Sequence, residues 1–392
     1  MDLKQSINKQ TQVSTTFATH LLSNHFPDSN VVFSPLSIHV VLSLLAAASK
    51  GPTLDQLHAF LQTKSTDDLN ELSLHLVTLI LADANPRGGP RLAFANGLWV
   101  EKTLSLKPSF TKVVDTFYKA ACEQVDFRKK AVKVAKEVNL WAEKQTKGLI
   151  KQVIDPTNAV NNLTQLIFAN ALYFKGTWKE KFDISMTKQS YFHLLNGKRV
   201  QVPFMESNKD QYVRQYDEFK VLGLPYLQGE DERAFTMYFY LPNAKKGLQS
   251  LVRKISTTPS FFDTHIPKKK LEMRKFSIPK FKISFGFTAC DVLKELGLVL
   301  PFSAEAGLSE MVDSSDGQNI YGSSIHHTAF VEVNEEGTKA AAVNIFHAMM
   351  LCEPEIKPKV DFVADHPFLF VIREDMCGAV LFVGQVIDPR GD

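Results

Sequence analysis

The sequence has few cysteines, and their spacing excludes a cysteine metal site and disfavours a disulfide framework. Its 392 residues contain four cysteines, at positions 122, 290, 352 and 377. The gaps of 168, 62 and 25 residues between them match no metal-ligand spacing. So sparse a set favours free thiols in a reducing compartment over a disulfide framework.

Net charge and long apolar runs are also scarce. Lys plus Arg number 45 and Asp plus Glu number 42, which leaves a net charge of +3. This is too small for the basic surface of a typical nucleic-acid-binding protein, and with 44% apolar residues the chain is no disordered polyelectrolyte. The longest apolar candidate, Val40–Ala48, is interrupted by Ser43 and falls short of the roughly 18 residues of a membrane span. We therefore expect neither a nucleic-acid nor a membrane partner.

The N-terminal residues 1–16 are polar and lack the apolar core of a secretory signal. This pattern predicts a cytoplasmic or nucleo-cytoplasmic protein, and it leaves an unconventional route of release open. The common nucleotide-binding, metalloprotease, serine-hydrolase and redox motifs are absent from the sequence, so we expect no enzyme activity, cofactor or metal.

The pattern of apolar residues predicts one α+β domain over residues 1–392. No stretch has the composition of a linker, and helical signals, such as Ile38–Ala48 and about Ala131–Thr146, dominate the first half. Short β-branched and aromatic runs follow in the second half. The predicted strands are Leu166–Tyr173, Phe235–Leu241, Phe276–Ser284, Ala329–Val333, Phe368–Arg373 and Val380–Val386. Because strands and helices do not alternate, a doubly wound sheet is disfavoured.

One connection is unusually long. About 26 residues separate Val333 from the next predicted strand near Val360, a length that is usually functional or disordered. Residues 338–352 contain neither proline nor glycine, so this segment can become a strand. The helix propensity of Thr338–Ala342 equally permits a helix.

Seven blocks of the sequence, in order along most of its length, resemble signatures of the serpins, and their residues are most similar to those of plant serpins. The blocks are Asn30–Ile38, Ala95–Val100, Leu166–Asp183, Pro279–Phe281, Glu332–Ala342, Asp365–Phe370 and Leu381–Gly384. The resemblance implies about nine helices, three β-sheets and an exposed reactive-centre loop over about 335–358. In inhibitory serpins the target protease cleaves this loop, which then inserts into the central sheet and traps the acyl-linked enzyme.

The resemblance also implies the positions of the functional residues. Family spacing from Gly337 places the reactive bond between Leu351 and Cys352. The hinge would be Glu335, Glu336, Gly337, Thr338, Lys339, Ala340, Ala341 and Ala342. The cluster under the separating strands would contain Ser34, Ser37, Asn170 and His327, and Trp178 would lie where Glu335 reaches the sheet.

The function that the resemblance implies is a suicide-substrate inhibitor, and two residues of the loop, Leu351 and Asn344, bear on its target and on its mechanism. Leu351 would enter an apolar primary pocket, which favours a serine or papain-like cysteine protease of apolar specificity as the partner. Strand alternation places Thr338, Ala340, Ala342 and Asn344 on one inward face. A buried Asn344 amide without partners costs about 1–3 kcal/mol, so a non-inhibitory serpin that is cleaved without trapping is the alternative.

The remaining sequence features concern surface charge, thiol chemistry and oligomeric state. The basic clusters Arg128–Lys130 and Lys268–Lys270 are interpreted as solvated surface rather than a polyanion site. Cys352, beside the reactive bond, is open to oxidation, which would make it a site of redox regulation. The alternative interpretation is that Cys352 has no regulatory role. We expect a monomer.

Overall fold

The computed structural model describes residues 3–157, 159–303, 305–313, 320, 323–337 and 359–391. This part of the chain is α+β, with nine α-helices and three β-sheets. The helices are α1 (Leu3–His20), α2 (Pro35–Ala48), α3 (Pro52–Phe60), α4 (Thr66–His75), α5 (Pro108–Val113), α6 (Phe127–Gln145), α7 (Leu248–Thr257), α8 (Phe261–Thr264) and α9 (Cys290–Glu295). Five-residue π-helical turns, Leu21–His25, Leu76–Ile80 and Val114–Tyr118, continue α1, α4 and α5.

Sixteen strands form the three sheets in the described ranges. They are β1 (Val31–Phe33), β2 (Arg91–Glu101), β3 (Ala121–Val125), β4 (Leu166–Lys175), β5 (Lys188–His193), β6 (Arg199–Glu206), β7 (Gln211–Gln215), β8 (Phe219–Pro225), β9 (Phe235–Pro242), β10 (Lys270–Leu271), β11 (Met273–Pro279), β12 (Phe281–Thr288), β13 (Ser323–Val333), β14 (Val360–Val363), β15 (Phe368–Glu374) and β16 (Val380–Val386). The five-stranded central sheet has the order β12-β13-β4-β2-β3. The other two sheets are β1-β16-β15-β9-β8-β7-β10 and β14-β11-β6-β5.

The central strand β4 is buried on both faces, which explains its nearly continuous apolar sequence. Phe168 and Leu172 pack into the main core, whereas Ala169 and Ala171 belong to a second cluster with residues of α6. Asn170 is the polar interruption, and it is fully buried.

Helices α2 and α6 cover the central sheet. Helix α2 is apolar all round because it is buried between sheets, and Ser34 caps its N-terminus. Helix α6 is amphipathic, with Val134 and Val138 buried in the second cluster, and the Asp126 side chain accepts a hydrogen bond from the Lys129 amide at 3.0 Å.

Three sequence predictions of secondary structure differ from the structure. The predicted strand Phe276–Ser284 is wrong as a single strand, because the chain passes at Pro279 and Lys280 from β11 in the four-stranded sheet to β12 in the central sheet. Strand β13 begins at Ser323, well before the predicted Ala329. Most residues in its first half are polar, so they lack the apolar pattern from which a buried strand is predicted. Helix α6 begins at Phe127, after the capping Asp126, but a kink at Lys130 (φ −137°, ψ 28°) separates this first turn from the helix that continues from the predicted start at about Ala131.

Among the described helices, none combines the length and apolar character needed to cross a membrane.

Candidate functional site

The strands β13 and β4 lie side by side and run parallel in the centre of the sheet. Their register extends from Ser323 opposite Leu166 to Phe330 opposite Tyr173. In the last pair the rings of Phe330 and Tyr173 stack with their centroids 5.5 Å apart. Beyond that pair β13 continues to Val333 in register with β12. The sheet therefore opens between β13 and β4 at the end where β13 leads into the long connection.

The chain turns sharply directly after β13. The Gly337 amide donates to the Asn334 carbonyl at 3.1 Å, and the Glu336 amide donates to Asn334 Oδ1 at 3.1 Å. Gly337 has φ of +91°, a conformation that side chains with a Cβ rarely adopt. A Cβ at this position would lie 2.5 Å from the Trp178 nitrogen. Both the conformation and the available space require glycine here.

Trp178 joins the end of β4 to this turn. Its indole Nε1 donates to the Asn334 carbonyl at 2.8 Å, and its backbone amide donates to the Glu336 carbonyl at 3.0 Å. The buried indole stacks on Tyr226, with ring centroids 4.5 Å apart and 16° between the planes. Trp178 thus spans the opening between β4 and the continuation of β13.

Glu335 is held in the same region by a buried ionic contact. Lys280 Nζ lies 2.8 Å from Glu335 Oε2, and Thr187 Oγ1 donates to Oε1 at 2.8 Å. Burial raises the pKa of the Glu335 carboxyl, but the hydrogen bonds from Lys280 and Thr187 outweigh this effect, so the pKa is lowered. The Glu335 carbonyl also accepts a bond from the Phe182 amide at 2.9 Å. These contacts hold Glu335, the first residue of the predicted hinge, as a carboxylate.

A second polar cluster lies deeper in the sheet and connects β13, β4 and α2. His327 Nδ1 and Asn170 Oδ1 are 2.9 Å apart, and His327 Nε2 accepts a hydrogen bond from the Ser34 amide at 2.9 Å. Ser34 Oγ accepts from the Ser37 amide at 3.1 Å. The four residues that the resemblance groups together are therefore in contact along one chain of hydrogen bonds.

The contacts of His327 determine its tautomer. A backbone N–H can only donate, so Nε2 is the acceptor and Nδ1 carries the proton that is donated to Asn170 Oδ1. Burial lowers the pKa of His327 to about 3, and the ring is neutral. Asn170 Nδ2 and Ser37 Oγ have no hydrogen-bond partner within the described ranges. The region beneath β13 and β4 thus contains buried polar atoms that are available for additional hydrogen bonds.

The remaining predicted residues have different outcomes. Glu335, Glu336 and Gly337 contact the region of Trp178, as described above. The hinge residues Thr338, Lys339, Ala340, Ala341 and Ala342 and the reactive-bond residues Leu351 and Cys352 lie outside the described residues, so their positions stay predictions.

Sequence reasoning missed Lys280, Thr187 and Tyr226 as parts of the site. Lys280 lies in one of the seven blocks, between two strands of different sheets, but no spacing rule connects it to a glutamate 55 residues later. Thr187 and Tyr226 carry no sequence signal of their own, because only the tertiary structure brings them to the hinge.

A family model described as "Serpin (serine protease inhibitor)" matches residues 8–389. The chain belongs to the serpin family. It is 55% identical to Serpin-ZX of Arabidopsis thaliana, over 99% of this chain and 100% of that protein. It is 52% identical to Serpin-ZXA of Oryza sativa subsp. japonica, over 99% and 98% of the two chains.

The structure also has the serpin fold. It matches a structure of Arabidopsis AtSerpin1, described as the native stressed conformation, with a TM-score of 0.93, 53% identity and coverage of 100% of this chain and 99% of the other. The resemblance to plant serpins is therefore confirmed. Serpins are in general protease inhibitors rather than enzymes, and their general partners are target proteases.

Proposed function

We propose that this serpin is a suicide-substrate inhibitor of a serine or cysteine protease with apolar primary specificity. The protease nucleophile attacks the carbonyl carbon of Leu351, the peptide bond to Cys352 breaks, and the new amino group of Cys352 leaves with a proton. The protease stays attached to Leu351 as an ester or thioester. Insertion of the loop into the central sheet then traps this acyl-enzyme. In this proposal the chain acts as a single-domain monomer without a cofactor.

The observation that carries the proposal is the parallel pairing of β13 with β4. A strand that turns back after Gly337 and enters between them runs antiparallel to both neighbours, so one parallel pairing is replaced by two antiparallel pairings. Residues 338–351 provide 14 residues for this strand. At roughly 0.5–1.5 kcal/mol net for each hydrogen bond, the insertion gains on the order of 10 kcal/mol.

The hinge geometry supports the same sequence of events. The turn of residues 334–337 lies directly beside the opening between β13 and β4, where Trp178 and Lys280 hold it. Asn170 Nδ2 and Ser37 Oγ, which lack partners in the described ranges, offer hydrogen bonds along the path of the new strand. An incoming strand therefore begins at the right place and meets polar atoms that can bond to it.

Asn344 favours a second candidate function. It is the fourth residue of the face that Thr338 begins, and its amide needs buried partners after insertion. If insertion is slowed enough, the protease hydrolyses the acyl bond first, and the chain is a cleaved substrate or a binding protein without inhibitory activity.

The test is incubation of the chain with a chymotrypsin-like protease, followed by denaturing gel electrophoresis and thermal denaturation. The inhibitor hypothesis predicts an SDS-stable complex and a marked rise in thermal stability of the cleaved chain. Cleavage after Leu351 without a complex or a stability increase supports the second candidate. Cleavage at another bond contradicts the proposed reactive bond.

Two variants separate the parts of the proposal. Thr338→Arg places a charge on the inward face of the inserted strand, so we expect cleavage with most of the complex lost. Thr338→Ser is the matched control and keeps the complex. Leu351→Arg should transfer inhibition from chymotrypsin-like to trypsin-like proteases. Unchanged protease preference in Leu351→Arg contradicts the assigned position of the bond.

A further inference from the structure

Two histidines and a glutamate converge at the end of the first helix. His20 ends α1, His25 ends the π-helical turn that follows, and Glu295 ends α9. Glu295 Oε2 lies 2.6 Å from His20 Nε2 and 3.0 Å from His25 Nε2. One ligand atom from each of the three residues lies within 4.8 Å of the other two. The three side chains already share one small volume.

The π-helical turn is what places both histidines on one side of the helix. In a regular α-helix, residues five apart point about 140° away from each other. In this turn the Phe26 amide bonds to the Leu21 carbonyl at 3.1 Å, an i to i+5 bond that widens the helix. As a result, the rings of His20 and His25 are 5.7 Å apart between centroids.

We propose that His20, His25 and Glu295 bind one divalent transition-metal ion, with zinc as the preferred ion. Imidazole nitrogens and a carboxylate oxygen are a ligand set suited to zinc, cobalt and nickel, whereas magnesium and calcium prefer oxygen ligands alone. Two neutral imidazoles and one carboxylate bring one negative charge to the ion. The fourth tetrahedral position is left to water.

Zinc binding requires the three ligand atoms, which lie within 4.8 Å of one another, to settle at nearly equal separations. With bonds of about 2.0–2.1 Å, tetrahedral ligand atoms lie about 3.3 Å apart, so the two histidine-to-carboxylate distances must lengthen by roughly 0.3–0.7 Å. The Glu295 side chain is 51% exposed and sits at a helix end, where its rotation meets little resistance. The histidine side chains are 21% and 23% exposed, so an ion from solution can reach them.

An outer contact is present for one of the histidines. Asn24 Nδ2 lies 3.1 Å from His20 Nδ1. When Nε2 binds an ion, the ring proton moves to Nδ1, and the Asn24 amide turned by 180° offers its oxygen as the acceptor. Asn24 therefore acts as a positioning residue that orients the His20 ring in both states.

An ion at this site would join parts of the chain that are far apart in sequence, since 275 residues separate His20 from Glu295. The three ligands come together only in the folded chain. Zinc therefore binds the folded state in preference to the unfolded state, and it raises the thermal unfolding midpoint.

The test is calorimetric titration of the full, tag-free chain with zinc chloride. We expect saturable binding of one ion per chain, with affinity reduced at least tenfold in both His25→Gln and Glu295→Gln. His75→Gln is the matched control: His75 lies on α4 and its Nδ1 contacts the Glu71 carbonyl at 2.9 Å, so binding stays at the wild-type level. Circular dichroism without metal checks that each variant is folded.

Titration with cobalt chloride distinguishes metal binding at this site from metal binding by cysteine thiols. Cobalt bound by nitrogen and oxygen ligands gives visible absorption bands without the intense near-ultraviolet band of a cobalt–thiolate bond. Absence of saturable binding to the wild-type chain overturns the proposal, as does a thiolate band at one equivalent. Equal zinc affinity in the wild type and both ligand variants overturns it as well, and leaves the three residues as a simple ion-paired cluster.

Discussion

At the scale of single residues, the turn after β13 depends on a position that only glycine fits. Gly337 has φ of +91° and is packed against the backbone of Trp178. Gly197, in the connection between β5 and β6, has a similar φ of +82° but nothing within 4 Å of its missing Cβ. The two glycines therefore separate conformational strain from steric conflict.

We predict that Gly337→Ala lowers the free energy of unfolding by about 2–4 kcal/mol, because backbone strain and a clash with Trp178 add together. Gly197→Ala should cost only about 1–2 kcal/mol, the strain alone. The measurement is the first transition in guanidinium unfolding, followed by tryptophan fluorescence. Equal losses of stability in the two variants would show that the added Cβ at position 337 causes no steric clash with Trp178.

At the scale of secondary-structure elements, one ion pair joins the end of β13 to the junction of β11 and β12. The Glu335 side chain is 8% exposed and that of Lys280 is 35% exposed. The surface pair Lys188 and Glu206, between β5 and β6, has a similar distance of 3.1 Å but exposures of 67% and 28%. Removing the cation leaves a buried carboxylate only in the first pair.

We predict that Lys280→Met destabilises the chain by about 1–3 kcal/mol, since Glu335 loses its charge partner in a buried place. Lys188→Met should change stability by less than about 1 kcal/mol. Because the folded-state pKa of Glu335 is lowered, its stabilising contribution is present at neutral pH and is lost as pH falls through that pKa. The difference between wild type and Lys280→Met should therefore shrink in acid, and a constant difference in pH-dependent unfolding would contradict the assignment.

At the scale of the whole molecule, three buried histidines make the fold sensitive to acid. Burial lowers the pKa of His39 and His326 to about 4 and that of His327 to about 3. Between these values and the ordinary value near 6.5, the unfolded chain binds more protons than the folded chain. Stability therefore falls as pH decreases from about 6.5 to 4, by up to about 1.4 kcal/mol per pH unit for each group.

His39 offers a clean test of this effect, because both its ring nitrogens lack a hydrogen-bond partner in the described ranges. We predict that His39→Leu leaves stability at pH 7 unchanged or up to about 2 kcal/mol higher, since no hydrogen bond is lost. Between pH 6.5 and 4 its stability should decline less steeply than that of the wild type, by up to about 1.4 kcal/mol per pH unit. Equal slopes in chemical unfolding across this range would refute the role of His39.

How far the sequence predicts the fold depends on whether each helix or strand has a recognisable local pattern of residues. Strand β4 is recognisable because it is apolar on both faces, and α2 because a capping Ser34 precedes an apolar run. Strand β13 is only half predicted, since its buried polar residues His326 and His327 depend on partners such as Thr288 for the first and Asn170 for the second. No local pattern reveals such partners, because they come from other elements.

The sequence by itself determined the family and the α+β class, since these follow from ordered motifs and local apolar patterns, and the resemblance to the serpins in turn implied the grouping of Ser34, Ser37, Asn170 and His327. Only the tertiary structure decided that Lys280 and Thr187 hold Glu335, that Trp178 spans the opening between β13 and β4, and that His20 and His25 meet Glu295. The physical reason is that hydrogen bonds and ion pairs depend on distances of about 3 Å between atoms, and folding sets those distances between residues far apart in the chain.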